Sequence, residues 1–182
     1  DRIPEDVLVV IDEAYYEYVD DPSYPQTVPW VLERPNVVVT RTFSKVYALA
    51  GLRVGYAVAN PKLAADINRV KEPFNVNSMA QVAAIAALAD QAHVQKSVEV
   101  NRQGKEYLYA EFEKLGLAYV PTQTNFIYVD LGRPSADVYQ ALLRQGVIVR
   151  QGDPFGQPTF IRVTIGTPEQ NQRFVEALRT LF

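Results

Sequence analysis

The chain contains no cysteine, which excludes disulfides and thiolate chemistry. It has a single histidine, His93, so a histidine-rich metal site or a Ser–His relay would have to rest on that one residue, and no metal site is expected. Basic residues are not in excess. Eighteen Lys and Arg stand against 21 Asp and Glu, a net charge of −3. That argues against nucleic-acid binding, which needs a basic face. No apolar run approaches the roughly 20 residues of a membrane-spanning helix. No signal-peptide pattern opens the sequence, and it holds no Gly-rich phosphate cradle, internal repeat or low-complexity stretch. The lack of cysteine fits a cytoplasmic location.

What is present is ordinary for a soluble globular protein: 182 residues, 48% of them hydrophobic and 21% charged. That is enough for one large domain or two small ones with a real core. The chain begins with Asp rather than Met and runs almost at once into a strand pattern, so a piece of a longer protein is expected.

The apolar run Val7–Ile11 reads as a strand buried on both faces, as in parallel sheets. It stops at Asp12-Glu13. Tyr15, Tyr16 and Tyr18 follow, and Asp20–Pro29 reads as an irregular loop. Val37–Thr40 predicts a second buried strand that ends directly at Arg41–Lys45. In open α/β sheets ligands gather beyond the carboxyl ends of strands. Two successive strands therefore deliver Asp12 and Lys45 to the same edge of one sheet. Arg53–Ala59 reads as a third strand.

Asn60-Pro61 is a helix start, with the helix running over Lys62–Lys71 and ending before Pro73. Ser78 opens an Ala-rich helical region through Ala89, suited to close packing on the sheet. A more charged one, about Ala92–Leu115, stops at Gly116 and reads as a connector. His93 reads as a helix-surface residue. From Leu117 the pattern becomes α+β. Leu117–Val120, Asn125–Leu131, Val147–Arg150 and Thr159–Ile165 read as strands. Ser135 caps a helix that ends before Gly146. Thr167-Pro168-Glu169-Gln170 is a capping box opening a last helix that runs to Phe182.

The stretch Arg41–Tyr56, RTFSKVYALAGLRVGY, gathers the groups with chemistry. The Thr42 and Ser44 hydroxyls with Arg53 could hold a phosphate, and Lys45 could hold an aldehyde. Pyridoxal 5′-phosphate (PLP) carries both groups. The other reading is a solvated Lys in a Ser/Thr-rich turn, and the segment taken alone favours it. The convergence with Asp12 weighs the other way.

These residues carry a resemblance. IDEAYYEY at Ile11–Tyr18, RTFSKVYALAGLRVGYAVA at Arg41–Ala59, PFNVNSMAQVAA at Pro73–Ala84, then NFIYV, GVIVR and IRVTIGT resemble, in order, the C-terminal half of the fold-type I PLP-dependent aminotransferases. The likeness is nearest to their histidinol-phosphate branch. It implies an α/β fold: residues 1–98 as part of a large, mainly parallel-sheet PLP-binding domain, and residues 99–182 as a small α+β domain, with the boundary near Gln95–Gly104.

It also implies roles. Lys45 is the Schiff-base lysine and proton carrier. Asp12 pairs with the protonated pyridine nitrogen, and Tyr15 donates to the cofactor's 3-oxygen. Arg53 clamps the phosphate with Thr42 and Ser44. Arg162 and Arg150 bind the acidic groups of the substrate, and Asn75 and Asn125 line its pocket. Each has a plainer alternative: a strand-end turn for Asp12, packed aromatics for the tyrosines (Tyr16 and Tyr18 above all), an edge-strand surface position for Arg162, loop or strand-start hydrogen bonding for the asparagines.

The family's N-terminal half, with its second phosphate-binding turn and the aromatic that stacks on the cofactor, has no match here. The fragment by itself is therefore expected to be weak or inactive. The resemblance implies transfer of an amino group from histidinol phosphate to 2-oxoglutarate by a homodimer. Aromatic amino-acid transamination, decarboxylation of a phosphorylated amino acid, and a non-enzymatic effector-binding module stand as alternatives.

Overall fold

A computed structural model describes residues 3–182. The chain forms two compact units that meet between Gln95 and Lys96.

The first unit opens with strand β1 (Val9–Asp12), helix α1 (Trp30–Glu33), β2 (Val37–Thr42) and β3 (Gly55–Ala59), followed by α2 (Pro61–Val70) and α3 (Ser78–Ala89). The strands form one sheet in the order β1-β2-β3; β1 pairs parallel to β2, and β3 pairs antiparallel to it. The expected run of valines is buried in β2, where Val37, Val38 and Val39 are all in the core. β1 departs from expectation. It starts at Val9, because the Val7 amide is used in a turn to the Pro4 carbonyl. It is not buried on both faces either: Val9 and Ile11 face the cluster around Val31, Val37 and Val39, whereas Val10 is 57% exposed. The reason is position, since β1 is an edge strand of this sheet and its pleat presents alternate residues to opposite sides.

The third strand also starts later than its sequence suggests. Residues Ala50–Leu52 form a single 3-10 turn, and Arg53 ends it in the left-handed region at φ 55°. β3 begins only at Gly55, where a Cβ would lie 2.8 Å from the Arg41 carbonyl oxygen, so a side chain is barred by the neighbouring strand. α2 is capped as expected: the Asn60 side chain accepts from the Leu63 amide at 3.0 Å, with Pro61 at the first helical position. In α3 the small residues Ala80 and Ala84 pack against Phe43 and Val54, which flank the Lys45 loop. Helix α3 thus packs on that loop.

Helix α4 (Gln91–Lys114) crosses the division. The second unit continues with β4 (Tyr119–Val120), β5 (Phe126–Asp130), α5 (Ser135–Arg144), β6 (Arg150–Gln151), β7 (Phe160–Thr164) and α6 (Pro168–Arg179). Its four strands are antiparallel, in the order β4-β5-β7-β6. Alternation divides the sheet cleanly. Ile127, Val129, Ile161 and Val163 join a core with Leu108 and Phe112 of α4, Leu142 of α5 and Leu178 of α6. The opposite face carries Phe126, Tyr128, Phe160 and Arg162.

Two strand expectations fail here for one reason. The Leu117 amide bonds back to the Phe112 carbonyl and the Val147 amide to the Leu142 carbonyl, each beside a left-handed glycine, Gly116 or Gly146. These residues close helix ends instead of opening strands, so β4 begins at Tyr119 and β6 at Arg150. Ser135 does not cap α5. It is the first residue of the helix, is fully buried, and donates its hydroxyl to Asp153. The Thr167–Gln170 capping box is present as read, but α6 ends at Arg179 and not at Phe182.

One charge cluster ties α4 to α6. Glu111 is buried and accepts hydrogen bonds from Lys114 and Arg179. The Lys114 bond draws its carboxyl pKa down, burial opposes this, and Arg179 adds to the lowering, so the group sits below its ordinary 4.5. A carboxyl depressed in the folded state stabilises the fold above its ordinary pKa, and loses that contribution as pH falls through the lowered one. Glu111→Gln is therefore expected to cost about 1–3 kcal/mol at neutral pH and much less below the carboxylate range. Thermal melts across that pH range check it.

Candidate functional site

The carboxyl ends of β1 and β2 carry the first unit's site residues. Asp12 lies beside Thr40 in the parallel pairing. Its side chain is exposed at the strand end, and its Oδ1 accepts the Ala14 amide at 3.1 Å. The chain then turns through Tyr15 into a single 3-10 turn, Tyr16–Tyr18. Three residues beyond β2, the Lys45 ammonium stands 5.0 Å from the centroid of the Tyr15 ring. Thr42 Oγ1 accepts the Ser44 amide at 3.0 Å, which leaves the Thr42 O–H free to donate elsewhere.

The Lys45 loop is held from below. Phe43 and Val46 are buried on either side of Ser44-Lys45. The Leu49 amide returns to the Phe43 carbonyl at 3.0 Å, and the Ala48 amide to the Lys45 carbonyl at 2.9 Å. His93, read from sequence as a plain helix-surface residue, brings Nε2 within 3.0 Å of the Val46 carbonyl and so pins the loop to α4. Ala48 and Arg53 both take left-handed backbone, at φ 58° and 55°. Such conformations cost energy in residues other than glycine and persist where surroundings over-determine them. Arg53 is exposed and donates from Nη1 to the Ala50 carbonyl at 2.8 Å. Asp12, Tyr15, Thr42, Ser44 and Lys45 therefore stand at one edge of one sheet, and Arg53 follows on the same loop. Asn75 lies apart, in the exposed connection between α2 and α3, where it accepts from Lys71 at 3.5 Å.

In the second unit, Arg150 and Arg162 are direct cross-strand partners. Both guanidinium groups lie over aromatic rings: Arg162 at 4.9 Å from the Phe126 centroid and Arg150 at 5.3 Å from Phe155. Like charges placed directly opposite each other destabilise an antiparallel pair. Asn125 precedes β5, and its carbonyl accepts the Ile165 amide at 2.9 Å.

The pattern of the family described as "Aminotransferase class I and II" matches residues 1–178. The chain belongs to that family. Among its aminotransferase relatives is the histidinol-phosphate aminotransferase of Moorella thermoacetica, 60% identical over 181 residues, an alignment covering 99% of this chain and 47% of the relative. The corresponding enzyme of Brevibacillus brevis is 51% identical, covering 99% of this chain and 50% of the relative. A crystal structure of histidinol-phosphate aminotransferase from Sinorhizobium meliloti in complex with pyridoxal 5′-phosphate superposes with a TM-score of 0.84 at 30% identity, over 99% of this chain and 51% of that one. The fold is thus that of an aminotransferase, and the chain spans about half the length of the curated relatives it matches.

In this chain one cluster escaped the sequence reading. Glu13 is 2% exposed, yet it accepts from Nε and Nη2 of Arg41 and from Thr27, and Arg41 covers the Tyr16 ring at 3.7 Å. Tyr16 is thus more than a packed aromatic, since its hydroxyl also donates to Gln26. Tyr18 is a buried one, as read. No signal in the sequence marks this cluster; it follows from the strand register, in which Asp12 lies beside Thr40 and the Glu13 amide bonds to the Thr40 carbonyl.

Proposed function

We propose that this chain supplies the lysine-bearing half of a PLP-dependent aminotransferase that moves an amino group from histidinol phosphate to 2-oxoglutarate, giving imidazole-acetol phosphate and glutamate. The observation that carries the reading is the convergence of Asp12, Tyr15 and Lys45 at the paired ends of β1 and β2. The donor set suits the cofactor chemically: an amine for its aldehyde, a carboxylate for its ring nitrogen, a phenol for its 3-oxygen, and hydroxyls with a guanidinium for its phosphate. When bound, PLP withdraws electrons from the substrate's amino-bearing carbon.

The residues of the chain do the rest. Lys45 would anchor the cofactor through its amine and would carry a proton at the substrate carbon. Asp12 keeps the ring nitrogen protonated. Tyr15 donates to the 3-oxygen. Arg53, Thr42 and Ser44 would hold the phosphate. Arg162 and Arg150 bind the anionic group of each substrate, and the aromatics beside them, Phe126 and the exposed Phe155, suit an imidazole-bearing molecule. Asn75 and Asn125 contribute polar contacts to the substrate. Residues 1–98 belong to the cofactor-binding domain and 99–182 to the smaller one. The whole protein works as a cytoplasmic homodimer.

A donor screen on the complete gene product tests this. Histidinol phosphate should outrank aromatic amino acids, and release of carbon dioxide from phosphorylated amino acids should be absent. If decarboxylation dominates, the reading is wrong. Arg162→Leu is expected to raise KM for the phosphorylated donor about 10- to 100-fold, the worth of a charge-assisted hydrogen bond of about 1.5–3 kcal/mol, with kcat less affected. Steady-state kinetics with phosphorylated and unphosphorylated donors check it.

A further inference from the structure

The proposed roles leave the most buried charge pair of the first unit without a function. Glu13 immediately follows Asp12, and Arg41 precedes Thr42, Ser44 and Lys45. Arg41 Nε and Nη2 both donate to Glu13 Oε2, at 2.9 and 2.8 Å, and Thr27 donates to Oε1 at 2.5 Å. The Glu13 side chain is wholly inaccessible and that of Arg41 is 17% exposed. The backbone repeats the tie, with the Glu13 amide donating to the Thr40 carbonyl at 2.9 Å. The guanidinium carbon stands 3.7 Å over the centroid of Tyr16, the neighbour of Tyr15. Burial works against the charge on Arg41, but its hydrogen bonds to Glu13 and Tyr56 and the charge of the Glu13 carboxylate outweigh it and raise its pKa.

Stability alone gives a weak reason for such a pair. Apolar residues of similar volume are often as stabilising as a buried ion pair, whereas the ion pair specifies one geometry. The geometry specified here is the junction of the strand end bearing Asp12, the turn bearing Tyr15 and the loop bearing Lys45. We propose that Glu13 and Arg41 form a positioning pair that sets the spacing between Asp12 and Lys45 across the cofactor. This rests on the function proposed above.

The test uses the complete gene product, with PLP affinity and the Lys45-dependent visible absorption band as readouts. Glu13→Gln and Arg41→Met are each expected to weaken PLP binding by about tenfold or more and to shift the band maximum. Arg41→Lys, which keeps the charge, should fall between them and the parent. Val31→Ala removes methyl groups from the core of the same sheet and serves as the control. At a similar loss of melting temperature it should leave affinity and band unchanged. The proposal is overturned if the pair variants bind PLP like the parent, if Val31→Ala moves the readouts as far as they do, or if none of the three pair variants folds. A parent protein with no Lys45-dependent band is a different result: it sinks the aminotransferase reading itself, before any variant of the pair is made.

Discussion

Replacing Lys45 with alanine in the complete gene product is expected to abolish the visible absorption band formed with PLP and to lower turnover by about three orders of magnitude or more. On the proposed reading the same residue would both anchor the cofactor and carry the proton, so its loss would remove two functions at once. The fold should be spared. Lys45 sits in a loop whose shape comes from other groups: the buried Phe43 and Val46, the Leu49-to-Phe43 and Ala48-to-Lys45 backbone bonds, and the His93 contact to the Val46 carbonyl. The side chain is half-buried and rests near Tyr15 without supporting the core. An unchanged melting temperature with a lost band is the expected pair of results. A band of parental strength in Lys45→Ala would move the anchor to another lysine and dismiss the proposed site.

Asp12→Asn should lower kcat by about 10²–10³, the scale seen when one preorganised electrostatic partner is removed. The substitution is informative because Asn keeps the local structure. Asp12 Oδ1 accepts the Ala14 amide at 3.1 Å, and an asparagine oxygen can do the same. What would disappear, on the proposed reading, is the negative charge that would hold a proton on the cofactor's ring nitrogen. PLP binding should weaken far less than turnover falls. Parallel measurement of PLP affinity and kcat separates the two, and equal losses in both would mean that Asp12 serves binding rather than chemistry.

These two residues were legible in the sequence for a definite reason. Each stands shortly after an unbroken β-branched run, and the strands of a parallel pair deliver their next residues to one edge of the sheet. The runs at Val9–Ile11 and Val37–Val39 do pair in parallel. Local capping was equally legible: Asn60 with Pro61 and Thr167 with Gln170 act over three or four residues, and both caps are present. The errors came where a residue served its neighbour's element. Val147 and Leu117 looked like strand starts, but their amides close the ends of α5 and α4. Arg53 looked like the first residue of a strand but ends a 3-10 turn in left-handed backbone, and β3 begins at Gly55.

The sequence by itself determined the elements and the chemical groups: apolar runs, caps, and an amine, a carboxylate and hydroxyls arriving at one edge. Those arise from interactions between residues close in the chain. Only the tertiary structure decided the register. It set Glu13 level with Arg41 across two strands 28 residues apart, and Arg150 opposite Arg162 on another sheet. Side-chain alternation tells which face a residue occupies, but not which partner stands beside it. That choice is made by the packing of whole strands, and it turned four scattered charges into a buried ion pair and a cross-strand pair of arginines.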